Sequence, residues 1–422
     1  MTSRLTERVD DIVAAETPHL VEVFKDLHSH PELGFAEVRT ARIVAQALTD
    51  LRFTVTTGIG GTGVVASLHN GPGPTVMYRA DMDALPVEEA TGLEYASRLR
   101  VRRDGADEVP VGHMCGHDAH VTWMLGMAKL LTQTARSWSG TAVLVGQPAE
   151  ELIAGAQAMV DDGLYDITPK PDALVALHTA PVPVGMVAGA GGTRFAGTDQ
   201  LDVVFRGVGG HGSMPQLAKD PVLMASAAVV QFQSIVSRMV TPGETAVLTV
   251  GSIQAGSAYN VIPDEARLLV NLRWFEPYVR EQLIAGIRSI SEGIARGYGM
   301  PDDALPVVTL RSGSTPLVND TALTDRLTSA LGGVFGTGNV VTQLPAVTGS
   351  EDCHLLKGAF ADVPLAYLLV GVADPQVFAD GAAAGKLLPY SPHSPDYVVD
   401  LAAIPFGVKV AGHAMLELLG AG

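Results

Sequence analysis

The chain is poor in cysteine and in positive charge. Only two cysteines, Cys115 and Cys353, occur among 422 residues, which excludes a disulfide-stabilised scaffold and predicts a cytoplasmic protein. Its 28 lysines and arginines are outnumbered by 45 acidic residues, for a net charge of −17. Because such a chain repels a phosphate backbone, we expect neither nucleic acid nor an anionic membrane surface as a partner.

Long apolar stretches are also lacking. No uninterrupted apolar run reaches the roughly 18 residues of a membrane-spanning helix, and the mixed-charge residues 1–11 do not contain the apolar core of a signal peptide. The composition is nonetheless that of a folded protein, because 47% of the residues are hydrophobic. Since a single hydrophobic core seldom grows past roughly 250–300 residues, the length predicts two domains.

Hydrophobic periodicity predicts an α/β domain with a mostly parallel sheet. Strand-like runs occur at residues 63–68, 75–78, 141–145 and 173–177. Helical patterns occur at residues 3–50, 119–133 and 155–162. Strands that alternate with helices are typical of a parallel sheet, and the same pattern returns towards the end of the chain. We therefore assign residues 1–189 and 312–422 to one discontinuous domain.

A different order of elements occupies residues 190–311. After a glycine-rich stretch, strand and helix patterns follow in the order βαββαβ, at residues 200–205, 220–239, 246–254, 265–274, 277–296 and 307–310. This is the order of the ferredoxin-like split motif. The sequence thus predicts a complete small domain inserted into the larger one.

The first candidate for chemistry is the loop that carries Cys115 and His117. One glycine separates them, just before a predicted helix, so a thiolate and an imidazole can face one metal ion. A buried thiol beside exposed imidazoles would explain the same loop without a metal.

Other candidates follow the predicted strands: Asp83, Glu150, Glu151 and His178. Because sites in open parallel sheets lie at the carboxyl ends of the strands, we expect these side chains to converge on the Cys115–His117 loop. Adjacent carboxylates can divide the work, one binding metal and the other acting as general base. Helix caps and a solvated acidic turn are the structural alternatives.

The inserted domain offers three polar side chains, namely His211, Asn260 and Arg273. His211 stands among glycines, on a loop that lacks the lysine and the spacing of a phosphate-binding loop. Such a histidine can reach outward and donate a hydrogen bond, although each of the three is ordinarily a surface or turn residue. Residues 98–110, rich in both signs of charge, are predicted to form a solvated hairpin.

Taken in order, these motifs resemble those of the M20 peptidase family. The amidohydrolase branch, with auxin-conjugate hydrolases, hippurate hydrolases and N-acyl-amino-acid aminoacylases, is the most similar. The matching stretches span nearly the whole chain, at residues 26–32, 79–86, 115–120, 147–151, 210–215, 260–263 and 349–352.

The resemblance implies a hydrolytic site with two divalent metal ions per subunit. Zinc is expected first and manganese second, since thiolate and imidazole favour zinc over hard cations. Glu150 is implied as the general base that takes a proton from a metal-activated water, and Asp83 as the carboxylate that orients a ligand histidine. The implied ligands are Cys115, His117, Glu151, His178 and His393.

The resemblance also implies a homodimer formed through the inserted domain. His211 would then reach into the partner's site and help to stabilise the oxyanion, while Asn260 and Arg273 would contact the substrate carboxylate. The expected activity is hydrolysis of the amide bond of N-acyl amino acids. A dipeptidase or carboxypeptidase with the same site is the alternative enzyme, and an inactive binding protein on this fold is the alternative from another class. A phosphoesterase is disfavoured, because no basic cluster accompanies the motifs.

Three features depart from the family pattern. Residues 98–110 form a longer link than usual, Cys353 and His354 stand where an aromatic pair is common, and residues 374–388 form a glycine- and alanine-rich insert. We expect all three to line the substrate entrance, so the resemblance identifies the substrate less specifically than the family.

Overall fold

A computed structural model describes residues 3–102 and 107–420 of the protein. These residues divide into two compact units. The large unit runs up to Gly192 and includes Val318–Pro345 and the residues from Asp352 onward, whereas the inserted unit comprises Thr193–Leu317 and Ala346–Glu351. The junctions therefore lie a few residues beyond those read from the sequence, and the short segment Ala346–Glu351 groups with the inserted unit.

The helices are numbered in chain order. They are α1 (Ser3–Ser29), α2 (Val38–Asp50), α3 (His117–Gln133), α4 (Gly155–Asp161), α5 (Leu164–Ile167), α6 (Pro221–Ser234), α7 (Pro277–Gly297), α8 (Thr321–Phe335), α9 (Pro375–Ala383) and α10 (Ala403–Leu418).

The strands are numbered in the same way. They are β1 (Thr54–Ile59), β2 (Gly63–Asn70), β3 (Thr75–Asp81), β4 (Arg100–Arg102), β5 (Glu108–Pro110), β6 (Gly140–Gln147), β7 (Ala173–Pro183), β8 (Val187–Ala188), β9 (Gly192–Phe195), β10 (Gly197–Arg206), β11 (Gly210–His211), β12 (Ala246–Ala255), β13 (Val261–Ile262), β14 (Glu265–Trp274), β15 (Val307–Ser314), β16 (Leu317–Asn319), β17 (Val340–Val341) and β18 (Leu365–Ala373).

The large unit is built on a mixed sheet. Over the described ranges, its eight strands follow the order β1-β2-β6-β3-β7-β18-β8-β17. The central strands β6, β3, β7 and β18 run parallel, whereas the outer pairs β1–β2, β2–β6 and β18–β8 are antiparallel. Tyr78, Trp123 and Met415 belong to the buried core that joins this sheet to α3 and α10. The expected α/β fold with a mostly parallel sheet is confirmed.

The inserted unit contains an antiparallel sheet of four strands, as far as the described residues extend. Its order is β12-β14-β10-β15, and the connections run β10-α6-β12-β14-α7-β15, which is the ferredoxin-like arrangement. Along β14, buried residues alternate with more exposed ones, because successive side chains of a strand point to opposite faces. The buried face packs with Phe232 of α6 and Ile287 of α7 in a separate core.

Several local features differ from the sequence reading. Strand β1 and helix α9 had not been predicted, and β7 continues to Pro183 rather than ending before His178. Strands β4 and β5 pair as an antiparallel hairpin, although residues 103–106 of the expected hairpin lie outside the described residues.

One helical segment qualifies the expectation about membranes. Pro221–Met239 is long and apolar enough to cross a membrane by length and composition, with a mean hydropathy of 1.3. Helices in the core of a soluble protein pass the same test, so the finding is weak evidence for a span. In this segment Met224, Ala228 and Phe232 are buried in the core of the inserted unit.

Candidate active site

The candidate residues of the large unit gather at one edge of the parallel sheet. Asp83 follows the end of β3, and Glu150 begins a single 3₁₀ turn after the end of β6. In β7 the last residue paired with β3 is Ala176, opposite Arg79, so His178, two residues further on, is level with the end of β3 at Asp81. The carboxyl ends of parallel strands meet at the same edge, and the sheet thereby assembles these side chains.

The loop before α3 lies close against β7. Gly116 has a φ of 78°, and a Cβ at this position would come within 2.7 Å of the Thr179 side chain. Only glycine permits both the left-handed conformation and this approach. The Thr179 hydroxyl donates to the Cys115 carbonyl at 2.7 Å, and the Cys115 Sγ then lies 3.5 Å from Nε2 of His178.

Residues other than glycine hold left-handed backbone at this edge, among them Ile153 at the end of the Glu150–Leu152 turn. Ala149, directly before Glu150, has a φ of 48°, and His393 has a φ of 67°. The backbone N–H of His393 donates to the Met114 carbonyl at 2.7 Å, which ties the His393 segment to the loop before α3. Such conformations persist only where surrounding contacts hold them, and they concentrate at functional sites.

The resulting cluster contains every metal ligand that the resemblance implies, together with Glu150. Ligand atoms of Cys115, Glu151 and His393 lie within 4.8 Å of one another, and so do those of His117, Glu150 and Glu151. Nε2 of His393 lies 3.3 Å from Oε1 of Glu151. The structure thus brings together residues that are up to 278 positions apart in the sequence.

Hydrogen bonds fix which ring nitrogen of two histidines faces the cluster. Nδ1 of His117 lies 3.2 Å from a carboxylate oxygen of Asp83, and Nδ1 of His178 lies 2.7 Å from the Thr179 carbonyl. Because each oxygen accepts, each Nδ1 carries the proton. In the neutral rings, Nε2 of both histidines therefore presents a lone pair, as a metal ligand must.

The surroundings of His117 Nε2 fit a bound cation. This buried atom has no hydrogen-bond partner among the described residues. Carboxylate oxygens of Asp81, Glu151 and Glu150 lie 3.7, 3.7 and 3.9 Å from it, too far for hydrogen bonds. Ligand atoms that share one zinc ion at about 2.0–2.2 Å are separated by about 3–4 Å. The donor set and its spacing therefore suit a divalent metal ion.

The electrostatics of the cluster favour added positive charge. Burial and the neighbouring carboxylates of Glu151 and Glu150 raise the pKa of the Cys115 thiol well above its usual value. Burial lowers the pKa of His178 to about 3, with a smaller contribution from the other histidines, so this ring is neutral. A cation would favour the thiolate, which is the form of cysteine that binds metal.

Asp81 was not selected from the sequence as a site residue, yet it is buried beneath the cluster. It accepts hydrogen bonds from Arg79 at 2.6 Å and from His120 at 2.5 Å. Burial would raise its pKa, but the charges of Arg79, His117 and His120 hold that pKa well below the usual range. His120 Nε2 accepts from the Thr179 N–H at 2.8 Å, so both ring nitrogens of His120 are engaged. The strand-end position of Asp81 was the signal that could have found it.

The remaining site candidates lie in the inserted unit. Nδ1 of the exposed His211 accepts from the backbone N–H of Ser213 at 3.2 Å, so Nε2 carries the proton of the neutral ring. His211 pairs with Val261 in the β11–β13 ribbon, and the Gly212 N–H donates to the Asn260 carbonyl at 2.8 Å. The ribbon thereby places His211 beside Asn260, which directly precedes β13.

Arg273 lies in the four-stranded sheet and is half-buried. Its Nε donates to Asn271 at 2.9 Å, and its Nη1 donates to the Ser350 hydroxyl. Burial lowers the pKa of Arg273. The contact with Ser350 explains why Ala346–Glu351 groups with the inserted unit.

The three departures from the family pattern have different surroundings. Cys353 is fully buried, so its thiol lines no open surface, contrary to our expectation. The insert at residues 374–388 forms α9 and an exposed turn in which Leu387 is 89% exposed. An entrance role for that insert and for residues 98–110 stays a prediction.

Comparisons with known proteins identify the family of this chain. The sequence profile of peptidase family M20/M25/M40 matches residues 77–417. IAA-amino acid hydrolase ILR1-like 2 of Arabidopsis thaliana is 31% identical over 405 residues, or 95% of this chain and 85% of its own. Hippurate hydrolase of Campylobacter jejuni is 35% identical over 343 residues, or 79% of this chain and 85% of its own.

A solved structure agrees as well. The Bacillus subtilis YXEP protein, described as a dinuclear metal binding peptidase from the M20 family, superposes with a TM-score of 0.73 at 27% identity, covering 96% of this chain and 98% of its own. The expected family and the expected hydrolysis of amide bonds are confirmed. This chain belongs to peptidase family M20/M25/M40 and is an amidohydrolase of that family.

Proposed function

We propose that the enzyme hydrolyses the amide bond of N-acyl amino acids with two divalent metal ions, zinc first and manganese second. The observation that carries the proposal is the buried Nε2 of His117, which faces carboxylates of Glu150 and Glu151 at 3.9 and 3.7 Å without a hydrogen bond. Cys115, His117, Glu151, His178 and His393 would hold the ions. Bound there, the ions would lower the pKa of water and polarise the amide carbonyl.

Glu150 would move the proton. Its side chain is 8% exposed. Glu150 begins the turn directly before the proposed ligand Glu151, so it would lie beside the reacting groups. As general base it would take a proton from the attacking water, and it would then return that proton to the leaving nitrogen. To return the proton to the leaving nitrogen, the Glu150 carboxylate must not itself be bound to a metal ion.

Asp83 would orient the site without touching the substrate. One of its oxygens accepts from His117 Nδ1, and the other accepts from the backbone N–H of Glu151 at 3.0 Å. A carboxylate in contact with a ligand histidine fixes both its tautomer and its direction. Asp83 is therefore a positioning residue in this proposal.

The inserted unit would supply groups for the substrate. The Nε2–H of His211 could donate to the developing oxyanion. Arg273 and Asn260 would contact the carboxylate of the amino acid, for which a guanidinium has the right charge and donor geometry. A dipeptide carries the same carboxylate, so the runner-up peptidase activity differs in the group on the other side of the scissile bond.

We also propose that two copies associate through the inserted unit and that His211 serves the partner's site. Support comes from apolar side chains that α6 leaves in solvent, since Leu223 is 52% and Val230 is 73% exposed. Strand β12 forms an edge of the four-stranded sheet, and edges and exposed apolar patches are typical of self-association.

A substrate panel tests the proposed activity. The purified enzyme, loaded with zinc or with manganese, is assayed against N-acetyl, N-benzoyl and N-indoleacetyl amino acids, with dipeptides as the comparison. We expect kcat/KM for at least one N-acyl amino acid to exceed that for every dipeptide. The reverse order would assign the enzyme to the peptidase alternative, and chelation of metal should abolish either activity. The cytoplasmic location stays a prediction.

A further inference from the structure

Glu37 is a buried carboxylate outside the cluster that nonetheless contacts the chain next to it. Its side chain is fully buried, and no lysine or arginine pairs with it among the described residues. One oxygen accepts from the backbone N–H of Ala149 at 2.8 Å, and the other accepts from the Thr62 hydroxyl at 2.5 Å. Burying a carboxylate without a cation is costly unless hydrogen bonds satisfy it, so these two contacts matter to its placement.

The contact with Ala149 falls at a critical place in the backbone. Ala149 has a φ of 48°, a left-handed conformation that is unfavourable for any residue with a Cβ. It is also the last residue before Glu150 and Glu151, so its conformation determines where those two carboxylates begin. A hydrogen bond to its N–H from a fixed side chain can hold the turn in this conformation.

Glu37 is fixed because the segment before it is attached to the neighbouring strand end. The Glu32 carbonyl accepts from the N–H of Ala84 at 2.8 Å, and Leu33 forms a bridge with Ala84. Ala84 directly follows Asp83. Residues 32–37 therefore contact the backbone beside Asp83 at one end and the backbone beside Glu150 at the other.

Close packing supports the same arrangement. A Cβ at Gly34 would come within 3.1 Å of the Ala149 Cα and 3.0 Å of the Leu152 side chain, so this segment lies directly on the turn. The Glu32 carboxylate accepts from the N–H groups of Arg39 and Thr40, each at 2.8 Å. Those bonds attach the segment to the first turn of α2 as well.

We propose that Glu37 is a positioning residue that holds Ala149 left-handed and so places Glu150, while the bond from the Glu151 N–H to Asp83 holds the ligand Glu151 separately. The inference rests on the proposed function, because it assigns Glu37 a task in that same site. It predicts that geometry, rather than the charge of Glu37, is what the site requires. Small displacements of catalytic groups can cost about 10²-fold in rate.

Two substitutions separate these effects. Glu37→Ala removes the acceptor for the Ala149 N–H, whereas Glu37→Gln removes the charge but keeps an oxygen that can accept, since the Thr62 hydroxyl can rotate to accept from the amide. We expect kcat to fall about 10–100-fold in Glu37→Ala, with KM within about threefold and metal content unchanged. Glu37→Gln should retain kcat within about threefold. Equal losses in both variants, or a loss of metal that accounts for the fall in kcat, would overturn the proposal.

Hydrogen exchange gives a readout that does not depend on any substrate. Amides in residues 149–152 should exchange faster in Glu37→Ala than in wild type, and at the wild-type rate in Glu37→Gln. Unchanged exchange in Glu37→Ala would contradict the proposal even if no N-acyl amino acid proved to be a substrate. If Glu37→Ala does not fold, Thr62→Val decides: it loosens the carboxylate from one side and should speed the same exchange, and wild-type exchange would count against the proposal.

Discussion

One carboxylate oxygen of Asp83 accepts a hydrogen bond from the backbone N–H of Glu151 at 3.0 Å. The other oxygen lies 3.2 Å from Nδ1 of His117. A single side chain therefore sets the direction of one proposed ligand, at the start of α3, and the backbone of another, in the turn after β6. The two ligands should respond together when Asp83 is changed.

Asp83→Asn should lower metal affinity about 10–100-fold, the usual effect of losing a carboxylate behind a ligand histidine. The asparagine oxygen can serve His117 or Glu151 but offers no second oxygen for the other. Metal titration measures the affinity. Asp172→Asn is the control, because Asp172 accepts from the N–H of Thr75 at the opposite end of β3, and it should bind metal as wild type does. If Asp83→Asn and Asp172→Asn bound metal with equal affinity, Asp83 would have no role in orienting the metal ligands.

Cys115→Ala should lower the bound metal and increase the activity lost on dialysis. The reason is that a thiolate ligand contributes to affinity directly, and elemental analysis measures the stoichiometry. Cys353→Ala is a matched control, since Cys353 is also buried but lies outside the cluster. If Cys115→Ala bound metal with wild-type stoichiometry and affinity, Cys115 would be a buried thiol and not a metal ligand.

The buried His28 should make the folded protein less stable at high pH. Burial would lower its pKa, but hydrogen bonds to Asp118 and Glu89 raise that pKa to about 10, above the unfolded value of about 6.5. The folded state therefore binds more protons between these values. The stabilisation is complete below about pH 6.5 and is lost as the pH rises through 10.

Denaturant unfolding of wild type and His28→Gln should reveal this dependence. We expect the difference between their free energies of unfolding to be largest near pH 7 and to shrink by pH 9.5. A difference that stays constant over this interval would contradict a charged His28 in the folded protein.

Mixing two inactive variants tests the proposed dimer. If His211 acts across the interface, a mixed dimer of Glu150→Gln and His211→Ala has one site with both changes and one with neither, so activity should return. If His211 acts within its own chain, every site keeps one change and mixing restores nothing. A mass tag must show subunit exchange, and sedimentation as an active monomer would exclude the dimer outright.

Much of the fold could be predicted because its elements follow local periodicity. Local periodicity predicted the order βαββαβ in residues 200–310, and apolar runs predicted the central strands of the large sheet. Strand β1 was missed because all of its residues are half-buried or exposed, so it lacks the buried side that marks a strand. Helix α9 was missed because its nine residues, rich in alanine and glycine, do not show the apolar periodicity of a helix with one buried face.

The site could be predicted only partly, for a similar reason. Asp83 and Glu150 follow strands, and the predicted end of the β7 run lay at His178, so their convergence came from topology. His393 does not follow a strand, and only the family resemblance selected it, because its left-handed conformation and its bond to Met114 depend on tertiary contacts. Glu37 acts through buried hydrogen bonds, which leave no periodic signal in the sequence, whereas the strand-end position of Asp81 was a usable signal.

The central claim is that Glu150 carries the proton in this hydrolysis without binding metal. The most direct test is kcat of Glu150→Gln, measured on the preferred substrate together with the metal content of the same sample. The amide keeps the shape of the side chain but cannot accept the proton, a step typically worth about 10²–10⁴ in rate. We predict a fall of that size with wild-type metal stoichiometry, whereas Glu151→Gln should lose metal as well. A kcat within threefold of wild type in Glu150→Gln would contradict the account.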